Sequence, residues 1–196
     1  MMALKETPSQ TVGPYFAYGL CPQQYNFDYK SLFTPEVVGS QTPGEHITVM
    51  GHVIDGDGKP VFDAMLEFSQ VDSQGHYPES RAQIAETGFR GFARAGTGTD
   101  PEQRFVVRTV KPASENAGEA PHINVIVMMR GMLTHTFTRI YFDDEAAANA
   151  ADPVLASVPE ARRNTLIARR TEQAGNIVYH FDIRMQGEGE TVFFDL

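Results

Sequence analysis

From Glu45 onward apolar and polar side chains alternate in short runs, each closed by turn-forming residues, which is the texture of β-strands. "EHITVMGHVI" (45–54) leads into Asp55-Gly56-Asp57-Gly58, a strong turn signal, and "VFDAMLEFSQV" (61–71) follows. The pattern predicts a hairpin with Leu66 and Phe68 on one face. Asp72-Ser73-Gln74-Gly75 makes the next turn, ahead of His76 and Tyr77. Residues 78–102 hold many glycines and few apolar runs, and read as a long loop. "RFVVRTV" (104–110), "HINVIVMM" (122–129), "THTFTRIYF" (134–142) and "IVYHFDIRM" (177–185) predict four further strands, with "TVFFD" (191–195) as an edge pairing. The expected fold class is all-β: a β-sandwich with long loops, an extended N-terminal arm and one or two short helices.

Three stretches depart from the strand pattern. Ser157-Val158-Pro159-Glu160 has the form of a capping box, which predicts a helix continuing from Ala161 to Ala168 with Leu166 and Ile167 packing inward. "DDEAAANA" (143–150) predicts a shorter helical turn with its acids at the start. Residues 1–44 are rich in Pro, Gly, Gln and Tyr without a sustained period, and Pro8, Gly13 and Pro14 fall close together. They predict a stiff, extended arm carrying Tyr15, Phe16 and Tyr18. Such aromatics need cover, either from the arm's own domain or from another surface. With no internal repeat and no low-complexity linker, the expected organisation is an arm with loops over 1–44 and a single domain over 45–196.

Composition narrows the function. Sixteen basic against 25 acidic residues give a net charge of −9, which disfavours nucleic acid as a partner because phosphate binding needs a concentrated basic surface. No apolar run reaches the roughly 18 residues of a membrane span, and "MMALKETPSQTVGPYF" lacks the apolar centre of a secretory signal. With Cys21 as the single cysteine, neither an internal disulfide nor a cysteine-based zinc site can form. The expectation is a soluble cytoplasmic protein. The glycine motifs add no chemistry: "GFRGFARAGTG" (88–98) is followed by no Gly-Lys-Ser/Thr, "DGDG" lacks the acid spacing of a calcium loop, and no Gly-x-Ser-x-Gly elbow occurs.

Candidate chemistry gathers around "APHINVI" (120–126). On a strand His122 and Asn124 share a face, the spacing at which two histidines grip one metal, but here the second position is a neutral amide. Tyr77 is the other candidate. A phenol with a free pKa of about 10 needs a strong Lewis acid nearby to lose its proton. From the residues alone His122 reads either as a hydrogen-bonded interior histidine or as one ligand of an incomplete site. Arg130 ends the strand "INVIVMM" just before Gly131. It can present its fork to a carboxylate or an aromatic ring, or sit in a surface ion pair. Arg162, Arg163, Arg169 and Arg170 read as a solvated or subunit-contact face.

Four segments carry a family resemblance: "TPSQTVGPY" (7–15), "PHINVIVMMRG" (121–131), "TRIYFDDEAAANAADPVL" (138–155) and "HFDIRMQGEGETVFFDL" (180–196). Across nearly the whole chain the sequence is similar to the intradiol ring-cleaving dioxygenases. Catalytic chains of that family hold a non-haem Fe(III) with two tyrosines and two histidines. The resemblance matches Tyr77 to the first tyrosine and His122 to the first histidine of a Pro-x-His-Ile-His pattern. The second histidine is replaced by Asn124. After Thr109-Val110-Lys111-Pro112 the chain reads Ala113-Ser114-Glu115-Asn116, without the family's second tyrosine.

The resemblance therefore implies a chain with no metal and no catalytic residue of its own, in which Tyr77, His122 and Asn124 are vestigial ligand positions. Fe(III) would be bound by a beta subunit. Thr11, Gly13, Pro14 and Tyr15 of the arm, together with Arg130, would wall the substrate pocket shared with that partner, whose surface would cover the arm. The implied reaction is O2-dependent cleavage of an ortho-dihydroxybenzoate between its hydroxyls, in an assembly of further alpha–beta pairs. The alternative is a non-catalytic binding or structural module for small aromatic acids.

Overall fold

The computed structural model describes residues 18–195. Nine strands carry the fold: β1 (His46–Ile54), β2 (Met65–Ser69), β3 (Phe92–Gly96), β4 (Arg104–Val110), β5 (His122–Met128), β6 (Thr136–Phe142), β7 (Ile167–Gln173), β8 (Asn176–His180) and β9 (Ile183–Arg184). They join in the order β3-β2-β5-β6-β7-β8-β1-β4, with β9 beside the end of β1. The half built from β3, β2, β5 and β6 is antiparallel throughout. The other half combines antiparallel β7–β8 and β1–β4 with parallel β1–β8. Between them lies a short parallel seam, Tyr141 with Ile167 and Phe142 with Ala168.

The sheet folds over at that seam, so that the inner faces of its halves meet. Phe68 on β2 and Phe105 on β4 are not neighbours along the sheet, yet their ring centroids are 5.5 Å apart. This is the expected β-sandwich. Alternation sorts the faces: Ile123, Val125 and Val127 of β5 join Leu66 and Phe68 of β2 and Ile47, Val49 and Val53 of β1 in one buried core. His122 and Asn124 consequently take the outer face of β5. A second cluster of Ala120, Tyr141, Leu155, Val158 and Leu166 covers that face near His122.

One glycine is required by this arrangement. β1 pairs first with β8 through residues 47–50 and then with β9 through 53–54. The connecting chain crosses β1 at Gly51, where a Cβ would lie 1.7 Å from the carbonyl oxygen of Phe181. Only a residue without a side chain admits that approach.

Several local expectations change. Asp55–Lys59 does form a tight turn, closed by the N–H of Asp55 donating to the Lys59 carbonyl. It does not make a β1–β2 hairpin, because β4 and β8 already occupy both edges of β1, and β2 crosses to the other half. The segment 78–102 is not one loop: it holds α1 (Arg81–Thr87) and β3. Ser80 caps α1 by accepting from the N–H of Gln83.

Beyond α2 (Ala146–Ala151), at the place where a short helical turn was expected, come α3 (Pro153–Ser157) and α4 (Glu160–Arg163). Four short helices thus lie between Arg81 and Arg163, where one or two were expected. No capping box forms at Ser157, which closes α3 and donates its hydroxyl to the carbonyl of Val154. The expected helix to Ala168 ends early, in a 3-10 turn over Asn164–Leu166, because Ile167 and Ala168 pair with β6. The arginine group divides accordingly between α4 and β7. Arg162 reaches the carbonyl of Glu190, Arg163 those of Val158 and Ala156, and Arg170 lies 3.8 Å from Asp144. "TVFFD" contributes a single bridge, Phe137 with Phe194.

Candidate functional site

The outer face of β5 and two loops above it bring Tyr77, His122 and Asn124 together. Asn124 is flanked by Ser69 on β2 and Arg139 on β6, and His122 by Tyr141 on β6. Tyr77 arrives from a turn organised by Asp72, whose carboxylate accepts from the N–H groups of Gln74 and His76. The Asp72 carbonyl also accepts from the N–H of Ala113, which ties the loop after β4 to this turn. That tether delivers Glu115. The Tyr77 hydroxyl donates to Glu115 Oε2 at 3.2 Å, and His122 Nε2 lies 3.7 Å from the same oxygen.

Each protonation state has a visible cause. Burial lowers the His122 pKa and Arg139 adds to the effect, against the hydrogen bond to the Ala120 carbonyl. The neutral ring donates from Nδ1 to that carbonyl at 2.9 Å, which leaves the lone pair on Nε2. Nε2 is buried and has no hydrogen-bond partner among the described residues. Burial raises the Tyr77 pKa, the charge and hydrogen bond of Glu115 raise it further, and hydrogen bonds from Asn124 and Ser69 only partly oppose them. Tyr77 is therefore a phenol at neutral pH.

Asp152 fixes the approach to β5. Its Oδ2 accepts from the Ala120 N–H at 2.7 Å, while Oδ1 caps α3 by accepting from Val154 and Leu155 at 2.8 Å each. The Tyr141 hydroxyl adds a longer bond to Oδ1 at 3.3 Å. Burial above all, with the Asp152 carboxylate beside it, pushes that phenol up to about 12, against the pull of Arg139.

As a metal pocket the donor set is poor. It offers one neutral imidazole, one carboxylate, a protonated phenol and an amide, where a trivalent ion needs several anionic donors. Among the described residues no three His, Cys, Asp or Glu side chains could share an ion.

Arg130 stands apart from this cluster. It follows the far end of β5, eight residues from His122, which at about 3.3 Å per residue is roughly 25 Å along the strand. Its Nε donates to Asp63 Oδ2 at 2.7 Å, its Nη2 donates to the same oxygen, and the guanidinium lies 4.9 Å from the centroid of the Phe62 ring. Carboxylate and aromatic ring are both engaged. The Arg130 side chain is 61% exposed whereas that of Asp63 is 6% exposed.

Thr11, Gly13, Pro14 and Tyr15 lie outside the described residues. Of the arm's aromatics Tyr18 is described, and it packs edge-on against Tyr25 and Phe27. Sequence reasoning passed over Glu115 and Asp63. Glu115 carried one signal, as the first ionisable group after the Lys111-Pro112 turn. Asp63 carried another, a carboxylate inside the apolar run Val61 to Leu66.

A family model described as Dioxygenase matches residues 13–187. The chain is 66% identical over 197 residues to the protocatechuate 3,4-dioxygenase alpha chain of Burkholderia cepacia, covering all of both chains. It is 46% identical over 203 residues to the alpha chain from Pseudomonas putida, covering 98% of this chain and 97% of that one. The beta chain from Burkholderia cepacia is 30% identical over 205 residues, covering 97% of this chain and 84% of the relative. Among solved structures, an intradiol ring-cleavage dioxygenase from Tetranychus urticae aligns with a TM-score of 0.61 at 15% identity, covering 96% of this chain and all of the other. At that identity the likeness shows the fold alone.

Proposed function

The chain belongs to the intradiol dioxygenase family, and from that membership we propose that it is the alpha subunit of a protocatechuate 3,4-dioxygenase, completing an active-site cleft whose Fe(III) is bound by a beta subunit. The assembled enzyme cleaves protocatechuate with O2 between its two hydroxyls, giving 3-carboxy-cis,cis-muconate. Membership implies non-haem iron, and separately named alpha and beta relatives support a beta partner.

The observation that carries the division of labour is the donor set around His122. The residues present do not fit a ferric ion: Tyr77 is held as a phenol donating to Glu115, and Asn124 offers a neutral amide. Losing a metal-binding anion and an imidazole removes most of the affinity of such a site. This chain's own contribution is then binding, orientation and exclusion of water. Arg130 is exposed and keeps Nη1 free of acceptors among the described residues, so it can donate to the carboxylate of an aromatic acid. Thr11, Gly13, Pro14 and Tyr15 are the arm's share of the cleft wall.

Purification of the chain alone tests this directly. It is expected to carry no stoichiometric iron and to consume no O2 with protocatechuate, whereas co-expression with its beta chain yields an iron-bearing, ring-cleaving oligomer. Stoichiometric ferric iron together with ring cleavage in the isolated chain would overturn the proposal.

A further inference from the structure

We propose that Asp63 is a positioning residue for Arg130, holding its guanidinium against Phe62 so that the remaining edge stays open toward the shared cleft. The inference rests on the reading of Arg130 as a cleft residue and adds the device that aims it. Asp63 is a rigid mount. The Thr97 hydroxyl donates to the Val61 carbonyl at 2.6 Å and accepts from the Ala64 N–H at 3.1 Å, which brackets Phe62 and Asp63 on both sides. The Ala64 carbonyl accepts from the N–H of Thr97 at 3.0 Å and completes the bracket.

Arg130 has no comparable support. It precedes Gly131, whose φ of +82° turns the chain away from β5. Asp63 is the one carboxylate that grips it among the described residues, and the grip uses the edge formed by Nε and Nη2. The Phe62 ring fixes the plane of the fork. An arginine ordered in advance loses less conformational freedom when a ligand arrives, and places its donors where the ligand needs them.

The carboxylate itself is an expensive choice. It is buried, and its Oδ1 has no hydrogen-bond partner among the described residues. An exposed ion pair would not need that burial.

The opposite signs of charge and position separate two accounts. If Arg130 acted through net positive charge, Asp63 would weaken it, and D63N would lower the KM for protocatechuate. If Asp63 positions it, D63N raises KM. The test uses the assembled alpha–beta enzyme carrying D63N, D63E, R130A or D63N/R130A, with iron content and melting temperature recorded for each assembly. The expected result is a KM raised about threefold to tenfold in D63N with kcat nearly unchanged. D63E is expected to restore most of the loss, and D63N to add nothing in the R130A background.

A D63N enzyme whose KM is unchanged or lowered, where R130A raises it, overturns the proposal, as do additive effects in the double variant. Should R130A leave the kinetics unchanged, the cleft role of Arg130 is what fails. Crystal structures of the wild-type and D63N assemblies then decide for Asp63: a guanidinium displaced from Phe62 supports positioning, and an unmoved one overturns it.

Discussion

Glu115 changes what Tyr77 can do. A tyrosine beside a metal gives up its proton, whereas one donating to a carboxylate keeps it. After burial, the charge and hydrogen bond of Glu115 are the next largest causes holding the Tyr77 pKa above the ordinary phenol value. E115Q should therefore lower the Tyr77 pKa without bringing it fully to that value, measured by a pH titration of the chain labelled with 13C at tyrosine Cζ. A Tyr77 titration unchanged by E115Q would contradict this reading of the pocket. His122, Asn124 and Tyr77 were legible from strand parity and from the family motif. Glu115 was not, because a backbone tether from Ala113 to Asp72 brings it there, and no spacing or motif in the chain encodes such a tether.

At the scale of elements, Asp152 couples a helix to the strand that carries His122. It satisfies two N–H groups of α3 and the N–H of Ala120 while completely buried. D152A removes a cap and leaves buried donors unpaired, so it should cost about 2–4 kcal/mol in urea unfolding of the chain. D152N, which keeps one acceptor oxygen, should cost less. Equal losses would show that the acceptor oxygens carry no weight.

Lys111 performs a similar junction between β4 and the segment after β6, with Nζ 2.9 Å from Asp144 and 2.7 Å from Glu145. Burial would raise the Asp144 pKa, but hydrogen bonds from Lys111 and Tyr179 outweigh it and lower the pKa below the ordinary 3.8. A folded pKa below the unfolded one gives stability that is present above pH 3.8 and is lost as the pH falls through the folded value. D144N should lower stability at neutral pH and flatten that acid limb. An acid limb identical to wild type would contradict the assignment.

The strands most legible in the sequence were those whose alternation is strong, β1, β4, β5 and β6. β3 hides in "FARAG", where small residues give little apolar signal, and β7 in "IARRTEQ", whose outward arginines follow a helical start. The Asp55–Lys59 turn was legible, but its failure to make a hairpin was not, since the partners of β1 come from residues 104–110 and 176–180. Local chemistry sets a turn, while competition among distant strands decides the pairing.

Over the whole molecule, one strand separates two regions to which the resemblance gives different roles. Tyr77, His122 and Asn124 cluster at the start of β5, and Arg130 lies beyond its other end, bonded to Asp63. On the proposed division of labour, Arg130 serves the partner's cleft while the cluster around His122 holds no iron of its own.

The measurement that tests this most directly is the iron content of the purified alpha–beta assembly, by elemental analysis against the molar amount of each chain. The account predicts one iron per alpha–beta pair, all of it lost when the beta subunit's ligands are replaced. Two irons per pair, or iron retained by the assembly after that replacement, would contradict it.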